Sequence, residues 1–341
     1  MGEPIRYLSG EDVVAAMPPV AERLALAERT MIALGTDADL PPKVAVHPRR
    51  TGSFAHAMPA ALRPTDPRRG EDLLGIKWVA GFPDNRAKGL PAIHALVILS
   101  DPETGRPQAI LDGRPITALR TAAVSGIALS RFGPLAAATM GAADHTPRAT
   151  ILGAGVQGHS HLEVLGFTLP GVLLTIADRH PERSQALAET ARSTEGIGRV
   201  TSVHEPDDVR AATRASDVVI SAVSFTDPGH RQSMDGSWLS PDALVVPVDY
   251  ATTCAASVAR QAALFLVDDR GQFLANRDAG QFDDYPDPGM TIGEALIAGT
   301  PRPPSGRVVV THLGVGLADV VFADAIVRTA EAAGIGTMLA G

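Results

Sequence analysis

Between residues 131 and 270, short apolar runs alternate with stretches in which apolar positions follow helical spacing. This alternation predicts a parallel sheet with helices on both faces, because strands that are buried on both sides are apolar throughout. We therefore expect an α/β domain with a doubly wound parallel sheet. The expected strands are 148–153, 172–177, 217–222, 243–248 and 263–267, and the expected helices are 156–168, 181–194 and 206–214.

Outside this region the pattern is mixed and predicts elements of both kinds. Turn-forming residues at 101–105 separate two of the strands and predict a hairpin. Ser9 is expected to cap the first helix of the chain. The expected elements are strands at 74–80, 94–99, 107–112 and 307–311, and helices at 115–130 and 316–333.

Composition narrows the class of protein. The length of 341 residues suggests about two domains. A formal net charge of −8 without a basic patch argues against nucleic acid as a partner. The single cysteine, Cys254, permits no intrachain disulfide and is typical of the reducing cytoplasm. Since no apolar run approaches the ~20 residues of a membrane span, we expect a cytoplasmic protein that does not bind membranes.

A glycine-rich turn follows the strand at 148–153. Gly153, Gly155 and Gly158 fit the pattern G-x-G-x-x-G. The first glycine permits the sharp turn, the second lets a pyrophosphate approach the backbone, and the third lets the helix pack on the strand. Asp178 lies 23 residues after Gly155, near the spacing of a ribose-binding acid, and favours NAD. Arg179 could instead hold the 2′-phosphate of NADP.

This motif predicts a Rossmann dinucleotide-binding domain. The first residues of the helix that follows the turn would face the phosphates with free N–H groups. The further residues assigned to the cofactor are Thr121, Val156, Gln157, Ala222 and Val223.

Two cations interrupt apolar segments outside this domain. Lys77 stands within a predicted strand and Arg120 within a predicted helix. A charge in such a context is costly unless it is paired. One interpretation is a structural ion pair or a side chain that reaches the surface. The other is a site for a carboxylate, to which Arg offers a fork and Lys a point charge, with hydroxyl donors from Thr117 and Thr121.

Acidic residues suggest a second kind of chemistry. Asp249 ends the strand at 243–248, where the carboxyl ends of a doubly wound sheet form a ligand crevice. It could exchange a proton with a substrate nitrogen, or it could be a turn or cap residue. The acids at 283–287 lack calcium-loop spacing, so we expect no metal site.

Several motifs, in order along most of the chain, resemble the ornithine cyclodeaminase/mu-crystallin family. They are His56-Ala57-Met58-Pro59-Ala60, Gly75-Ile76-Lys77, Phe82-Pro83 with Gly89-Leu90-Pro91, Asp101 through Gly105, Asp112-Gly113 with Thr117 through Ala123, Gly153 through Gly158, and Gly314 through Ala318.

The resemblance implies a homodimer. It implies an α+β substrate-binding and dimerisation domain, residues 1–130 with 314–341, into which the Rossmann domain, residues 131–313, is inserted. It also implies that Lys77 and Arg120 bind the substrate carboxylate, that Lys43 helps to hold it, and that Asp249 handles the proton at the substrate amine. The further residues assigned to the substrate are His56, Met58 and Asp319.

The chain departs from the pattern of the family in places. Cyclodeaminases carry a glutamate that contacts the substrate amines where His56 stands, which argues against ornithine cyclisation. Asp319 stands where a small apolar residue is more usual. An acid there would recognise a cationic or hydroxylated substrate tail, or would lie at the surface or cap a helix. The residues after Asp249 lack the Pro-Gly-Lys of many relatives.

Three functions follow as hypotheses. The first is an imine reductase or amino-acid dehydrogenase that uses NAD, with NADP as the alternative cofactor, and has Lys77 and Asp249 as catalytic residues. The second is a cyclodeaminase that releases ammonia from a diamino acid with catalytic NAD. The third is a cofactor-dependent binder of a small ligand without turnover, against which the retention of Asp249 argues.

Overall fold

The computed structural model describes residues 3–66, 70–134 and 146–341. The chain forms two compact units. Met1–Arg120 and Gly314–Gly341 make up one, called the composite unit, and Thr121–Leu313 make up the other, called the central unit. The division falls after Arg120, within a helix, whereas the sequence predicts a boundary after residue 130. The predicted domain 131–313 includes residues 135–145, which lie outside the described residues.

The composite unit is built on a mixed sheet. Its strands are β1 (Ile5–Leu8), β2 (Ala38–Asp39), β3 (Val44–Val46), β4 (Phe54–Leu62), β5 (Leu73–Gly81), β6 (Ile93–Ser100), β7 (Pro107–Asp112) and β16 (Thr337–Leu339). Its helices are α1 (Gly10–Ala15), α2 (Val20–Leu34), the first part of α3 (Gly113–Phe132) and the last helix, α10 (Gly316–Ala333), with a 3₁₀ turn at Pro83–Lys88.

The strands of this sheet lie in the order β16-β1-β7-β6-β5-β4-β2, with β3 also paired to β4. β1 and β7 run parallel, and the other neighbouring pairs run antiparallel. Helix α10 packs on β4, β5 and β6 and covers one face of the sheet. At Gly75 on β5, an added Cβ would lie 3.0 Å from a methyl group of Val320 on α10. The helix and the sheet therefore pack closely there, with room for no side chain at position 75.

The central unit is an α/β structure built on a parallel sheet. Its strands are β8 (Arg148–Leu152), β9 (Val172–Ala177), β10 (Ile197–Val203), β11 (Val218–Ser221), β12 (Leu244–Pro247), β13 (Leu264–Val267), β14 (Met290–Thr291) and β15 (Val308–Thr311). Its helices, besides the rest of α3, are α4 (Val156–Thr168), α5 (Pro181–Arg192), α6 (Pro206–Arg214), α7 (Ala256–Arg260), α8 (Arg270–Asp278) and α9 (Ile292–Ala298), and it has 3₁₀ turns at Pro228–His230 and Gly236–Trp238.

The strands of the central unit lie in the order β10-β9-β8-β11-β12-β15-β13-β14, and every described pairing is parallel. Its first five strands follow the Rossmann order 3-2-1-4-5, with the reversal between β8 and β11. The predicted α/β fold class is therefore confirmed. No helix among the described residues is both long and apolar enough to cross a membrane.

The predicted elements are present within a few residues of their expected bounds. Ser9 caps α1 through a capping box with Asp12, as the sequence predicts. The sequence did not predict the strands β1, β2, β3, β4, β10, β14 and β16 or the helices α2, α7, α8 and α9. In β4, the stretch around Pro59 hides the strand pattern, although alternate residues of β4 point to opposite faces of the sheet.

Candidate functional site

The glycine-rich turn has the geometry that its sequence predicts. Gly153 has a φ of +104°, and an added Cβ would lie 2.5 Å from the carbonyl oxygen of Ala222. At Gly158 an added Cβ would lie 2.3 Å from the carbonyl oxygen of Gly153. Gly155 has no such neighbour within 4 Å and is the N-cap of α4 without a side-chain cap. The turn thus leaves open space at the N-terminus of α4, which suits a pyrophosphate.

Asp178 is fixed beside this turn. Its Oδ2 accepts a hydrogen bond from the backbone N–H of Ala154 at 2.9 Å, and its Oδ1 accepts one from the N–H of His180 at 3.0 Å. The carboxylate of Asp178 is therefore anchored at the end of β9, half-buried, while Arg179 is exposed. An anchored carboxylate would repel a 2′-phosphate. The exposed Arg179 donates a hydrogen bond from Nε to His180 Nε2 at 3.3 Å.

The structure brings Asp249 to the same edge of the parallel sheet. Asp249 follows β12 and is 2% exposed. Oδ2 accepts hydrogen bonds from Thr253 Oγ1 at 2.7 Å and from the N–H of Val223 at 3.2 Å, and Oδ1 accepts one from Ser221 Oγ at 3.0 Å. Since Val223 follows Ala222, which contacts Gly153, the acid and the glycine-rich turn are near neighbours.

Burial changes the proton affinity of Asp249. It raises the pKa of the carboxyl group to about 6, although hydrogen bonds from Thr253, Val223 and Ser221 oppose the change. A carboxyl group with this pKa can carry or release a proton near neutral pH. The hydrogen-bond donors Ser221 and Thr253 were not predicted. The sequence could have indicated them through their positions, since Ser221 stands at the end of the strand β11 and Thr253 in the turn after the strand β12.

In the composite unit, Lys77 lies on the face of β5 that α10 covers. It pairs in register with Met58 on β4, so the two side chains share that face. Lys77 is 1% exposed and Met58 is also buried. Because the flanking residues of β5 and its neighbours are apolar, Lys77 needs a counter-ion within the unit.

Asp319 supplies that counter-ion. It lies in the first turn of α10 and is fully buried. Lys77 Nζ lies 2.9 Å from Asp319 Oδ1, 2.8 Å from Oδ2 and 3.3 Å from Thr117 Oγ1. Arg120 Nε lies 3.4 Å from Oδ1. The interpretation of Asp319 as a surface or capping acid is wrong, because its carboxylate is enclosed between two cations.

The three charges affect the proton on Lys77. Burial lowers the pKa of its ammonium group to about 8, opposed by Asp319 and assisted by Arg120. Arg120 itself is fixed against the backbone, since an added Cβ at Gly314 would lie 2.5 Å from both Nη1 and Nη2. The interpretation of Lys77 or Arg120 as a side chain that reaches the surface is wrong, because both are buried and both pair with Asp319. A structural ion pair and a carboxylate site use the same cations.

His56 lies near Lys77, and Lys43 adds positive charge beside it. His56 shares the covered face of the sheet with Met58 and Lys77, and its ring centroid lies 4.7 Å from that of Phe54. Burial, together with the charges of Lys43, His47 and Lys77, lowers the pKa of His56 to about 4, so the ring is neutral at neutral pH. The structure therefore brings together all six substrate residues assigned from the sequence: Lys43, His56, Met58, Lys77, Arg120 and Asp319.

A buried chain of hydrogen bonds supports the glycine-rich turn and was not predicted. Ser125 Oγ on α3 lies 2.8 Å from His161 Nε2 on α4 and 2.9 Å from His312 Nε2. His161 Nδ1 lies 2.6 Å from the carbonyl oxygen of Gln157, which fixes Nδ1 as the protonated nitrogen. Burial lowers the pKa of His161 to about 4, so the ring is neutral and holds the first turn of α4.

Four of the remaining cofactor residues adjoin this turn: Val156 and Gln157 follow Gly155, and the backbone of Ala222 and Val223 lies against Gly153. Val156 and Val223 are exposed, Gln157 and Ala222 are half-buried, and Thr121 is buried on α3. None of the described residues forms a group of three or more His, Cys, Asp or Glu that could hold a metal ion.

Comparisons with known proteins agree with these features. The sequence profile of the ornithine cyclodeaminase/mu-crystallin family matches residues 11–252. The chain is 33% identical to the nodulation efficiency protein NfeD of Rhizobium meliloti over 342 residues, which cover 98% of each protein. It is 32% identical to the ketimine reductase mu-crystallin of Mus musculus over 173 residues, which cover 51% of this chain and 49% of that protein. The match thus spans about half of the mu-crystallin.

Among solved structures, a Δ(1)-pyrroline-2-carboxylate reductase of Thermococcus litoralis, in complex with NADH and L-proline, has a TM-score of 0.80. The identity is 23%, and the alignment covers 98% of this chain and 99% of that chain. This likeness extends over both units and concerns the fold.

Proposed function

This chain belongs to the ornithine cyclodeaminase/mu-crystallin family, and on that basis we propose that it is an NAD-dependent oxidoreductase of a small amino or imino acid. The substrate would be an imine that bears a carboxylate, or the corresponding amino acid. The observation that carries the proposal is Asp249, a buried acid with a pKa raised to about 6 beside the open glycine-rich turn. A group that exchanges a proton near neutral pH is what the nitrogen of such a substrate requires.

The residues of the central unit suit a dinucleotide. Gly153, Gly155 and Gly158 would hold the pyrophosphate at the N-terminus of α4, and Asp178 would bind the ribose hydroxyls. The anchored carboxylate of Asp178 supports NAD over NADP. When it is bound, the nicotinamide supplies or accepts the hydride.

The residues of the composite unit suit a carboxylate. Lys77 and Arg120 would bind it, with Lys43 adding positive charge, while His56 and Met58 would contact the rest of the substrate. Asp249 would give a proton to the substrate nitrogen in the reductive direction and accept one in the oxidative direction. Binding through the carboxylate orients the substrate, and Asp249 then acts at one defined atom.

The first experiment measures turnover with cyclic ketimines. Oxidation of NADH and of NADPH is followed with pyrroline-2-carboxylate and piperideine-2-carboxylate. We expect consumption of NADH that depends on the ketimine, and a much lower rate for an Asp249→Asn variant. Ammonia release from ornithine or lysine without net NADH consumption would instead identify a cyclodeaminase. Ligand binding without any turnover would identify a binder.

We also propose that the protein forms a homodimer through the open face of the mixed sheet. On this face Trp78 pairs in register with Leu96, and Ile76 pairs with Ile98. Leu74, Trp78 and Leu96 are exposed by 37%, 45% and 42%. An apolar sheet face of this kind fits a second copy of itself, which would cover it symmetrically.

Sedimentation of the wild type and of a Trp78→Glu variant tests the dimer. We expect a dimer for the wild type and a folded monomer for the variant. A wild-type monomer would contradict the proposal. We propose a cytoplasmic location as well, since the single cysteine, Cys254, is a free thiol and permits no intrachain disulfide.

A further inference from the structure

The group formed by Lys77, Arg120 and Asp319 already contains a carboxylate. Its oxygens lie 2.8 and 2.9 Å from the ammonium nitrogen of Lys77, and one of them lies 3.4 Å from Nε of Arg120. A carboxylate between an ammonium and a guanidinium group is also the arrangement expected for the carboxylate of a bound amino acid. Asp319 and a substrate would therefore require the same two cations.

We propose that Asp319 is an internal occupant of the carboxylate-binding pair Lys77 and Arg120, so that the carboxylate of a small amino or imino acid competes with Asp319 for these cations. The inference rests on the proposed function, since it takes Lys77 and Arg120 as ligands of the substrate carboxylate. Asp319 is then a specificity-determining residue, because it neutralises one of the two positive charges before any substrate binds.

The backbone around Asp319 limits how this competition can take place. At Gly316 an added Cβ would lie 2.6 Å from the carbonyl oxygen of Met58, and Gly314 contacts the guanidinium of Arg120. The start of α10 is thus packed against the sheet and against Arg120. Asp319 gives way to a substrate by rotation of its side chain or by sharing the cations, rather than by displacement of the helix.

Charge balance then defines the substrate class. With Asp319 and one substrate carboxylate, two negative charges face the two positive charges of Lys77 and Arg120. A second carboxylate on the substrate would add a negative charge without a partner among these three residues, and burial makes such a charge costly. Beside Lys77, Arg120 and Asp319 the site is therefore expected to accept one substrate carboxylate rather than two.

Replacement of Asp319 tests the inference without a need for turnover. Asp319→Ala removes the internal carboxylate, and formate can then take its place. The thermal midpoint of unfolding is measured in sodium formate and in sodium chloride at equal ionic strength. The matched control is Asp324→Ala on the same helix, which removes a carboxylate paired with the exposed Arg328 at 3.1 Å. A Lys77→Met/Asp319→Ala double variant removes one of the cations as well.

We expect formate to raise the midpoint of Asp319→Ala by at least about 2 °C more than that of the wild type, the control or the double variant. An equal effect of formate on all four proteins would overturn the inference.

The isosteric Asp319→Asn variant keeps the test decisive if Asp319→Ala does not fold. Its binding of pyrrole-2-carboxylate, a planar carboxylate that cannot serve as an imine substrate, is measured by calorimetry. We expect a Kd at least about tenfold lower than that of the wild type, since a nearby negative charge is removed. An unchanged or higher Kd would overturn the inference.

These readouts separate the inference from the proposed function. Ketimine turnover together with an unchanged Kd in Asp319→Asn would overturn the role of Asp319 alone. Formate rescue together with an absence of turnover in the wild type would overturn the oxidoreductase proposal, and would support Asp319 as the occupant of a carboxylate site.

Discussion

Lys77 and Asp319 are separated by 242 residues of sequence, yet the ammonium nitrogen of Lys77 lies within 2.9 Å of both carboxylate oxygens of Asp319. Both residues are buried, with Lys77 1% exposed and Asp319 0% exposed. The pair joins the middle of β5 to the first turn of α10, and Arg120 completes it from α3. The stability of the composite unit therefore depends on the balance of three charges.

Removing Asp319 should destabilise the protein more than removing Lys77. Asp319→Ala leaves two like charges buried, and we expect it to lower the free energy of unfolding by about 3–5 kcal/mol. Lys77→Met costs less because Asp319 keeps Arg120 as a partner. The Lys77→Met/Asp319→Ala double variant should regain part of the loss. Urea unfolding of the three variants measures this order, and an equal cost for both single variants would contradict it.

The lowered pKa of Lys77 should make stability rise with pH. The folded pKa of about 8 is below the model-peptide value of 10.5, so the unfolded chain binds more protons between these two values. The free energy of unfolding of the wild type should therefore increase, relative to that of Lys77→Met, as the pH rises from about 8 to 10.5. Unfolding curves of both proteins across this range give the difference. A difference that falls with pH would show that Lys77 does not carry a lowered pKa.

Asp249 should set one limb of the pH–rate profile. With a pKa raised to about 6, it donates a proton below this pH and accepts one above it. We expect kcat/KM for imine reduction to fall above about pH 6, and kcat/KM for amino-acid oxidation to rise up to about pH 6. The Asp249→Asn variant should lose the pH dependence near 6 in both directions of the reaction, along with most of its activity. The control is Asp269→Asn, a helix cap whose side chain accepts from Gln272. If kcat/KM of Asp249→Asn keeps its pH dependence near pH 6, another group carries out the proton transfer.

Cofactor preference should depend on Asp178 rather than on Arg179. Asp178→Ser removes the carboxylate that would repel a 2′-phosphate, and we expect the ratio of kcat/KM for NADH to that for NADPH to fall by at least about tenfold. Arg179→Ala should change this ratio only slightly. A wild type that prefers NADPH, with the preference lost in Arg179→Ala, would reverse the assignment.

The hydrogen-bonded chain through Ser125 should affect the cofactor more than the substrate. Ser125→Ala removes the hydroxyl between His161 and His312, and we expect a loss of about 1–3 kcal/mol in stability. Because His161 holds the carbonyl of Gln157 in the first turn of α4, the KM for NADH should rise while the KM for the ketimine changes little. Ser193→Ala, which alters an exposed hydroxyl at the end of α5, is the control. Equal changes in both KM values would indicate a general structural effect.

The sequence predicts the parts of this molecule that local pattern determines. The glycine-rich turn, the strands of the parallel sheet other than β10 and β14, and the need of Lys77 and Arg120 for partners follow from apolar runs, from spacing and from the cost of isolated charge. The identity of their partner, Asp319, does not follow from the sequence pattern. Asp319 lies on a helix whose pattern permits an exposed or a buried acid, and only the packing of α10 against β5 brings it to Lys77.

The hydrogen bonds that hold Asp249 could not be predicted from local sequence pattern either. Ser221, Thr253 and the N–H of Val223 reach Asp249 because parallel strands end at one edge of the sheet, and the sequence order of the strands does not give their order in space. For the same reason, the pairing of Ser125 with His161 and His312 could not be expected from three separate segments.

The path of the chain through the composite unit also bears on its synthesis. The ribosome releases Lys77 and Arg120 long before α10, since the whole of Thr121–Leu313 is translated in between. Until α10 emerges, the covered face of the mixed sheet is without its helix, and the two cations are without their carboxylate. The nascent N-terminal segment should therefore remain open to protease and to chaperones while the parallel sheet, whose strands are contiguous in sequence, can already fold. Folding of the N-terminal part of the composite unit is therefore completed by α10, which is synthesised last.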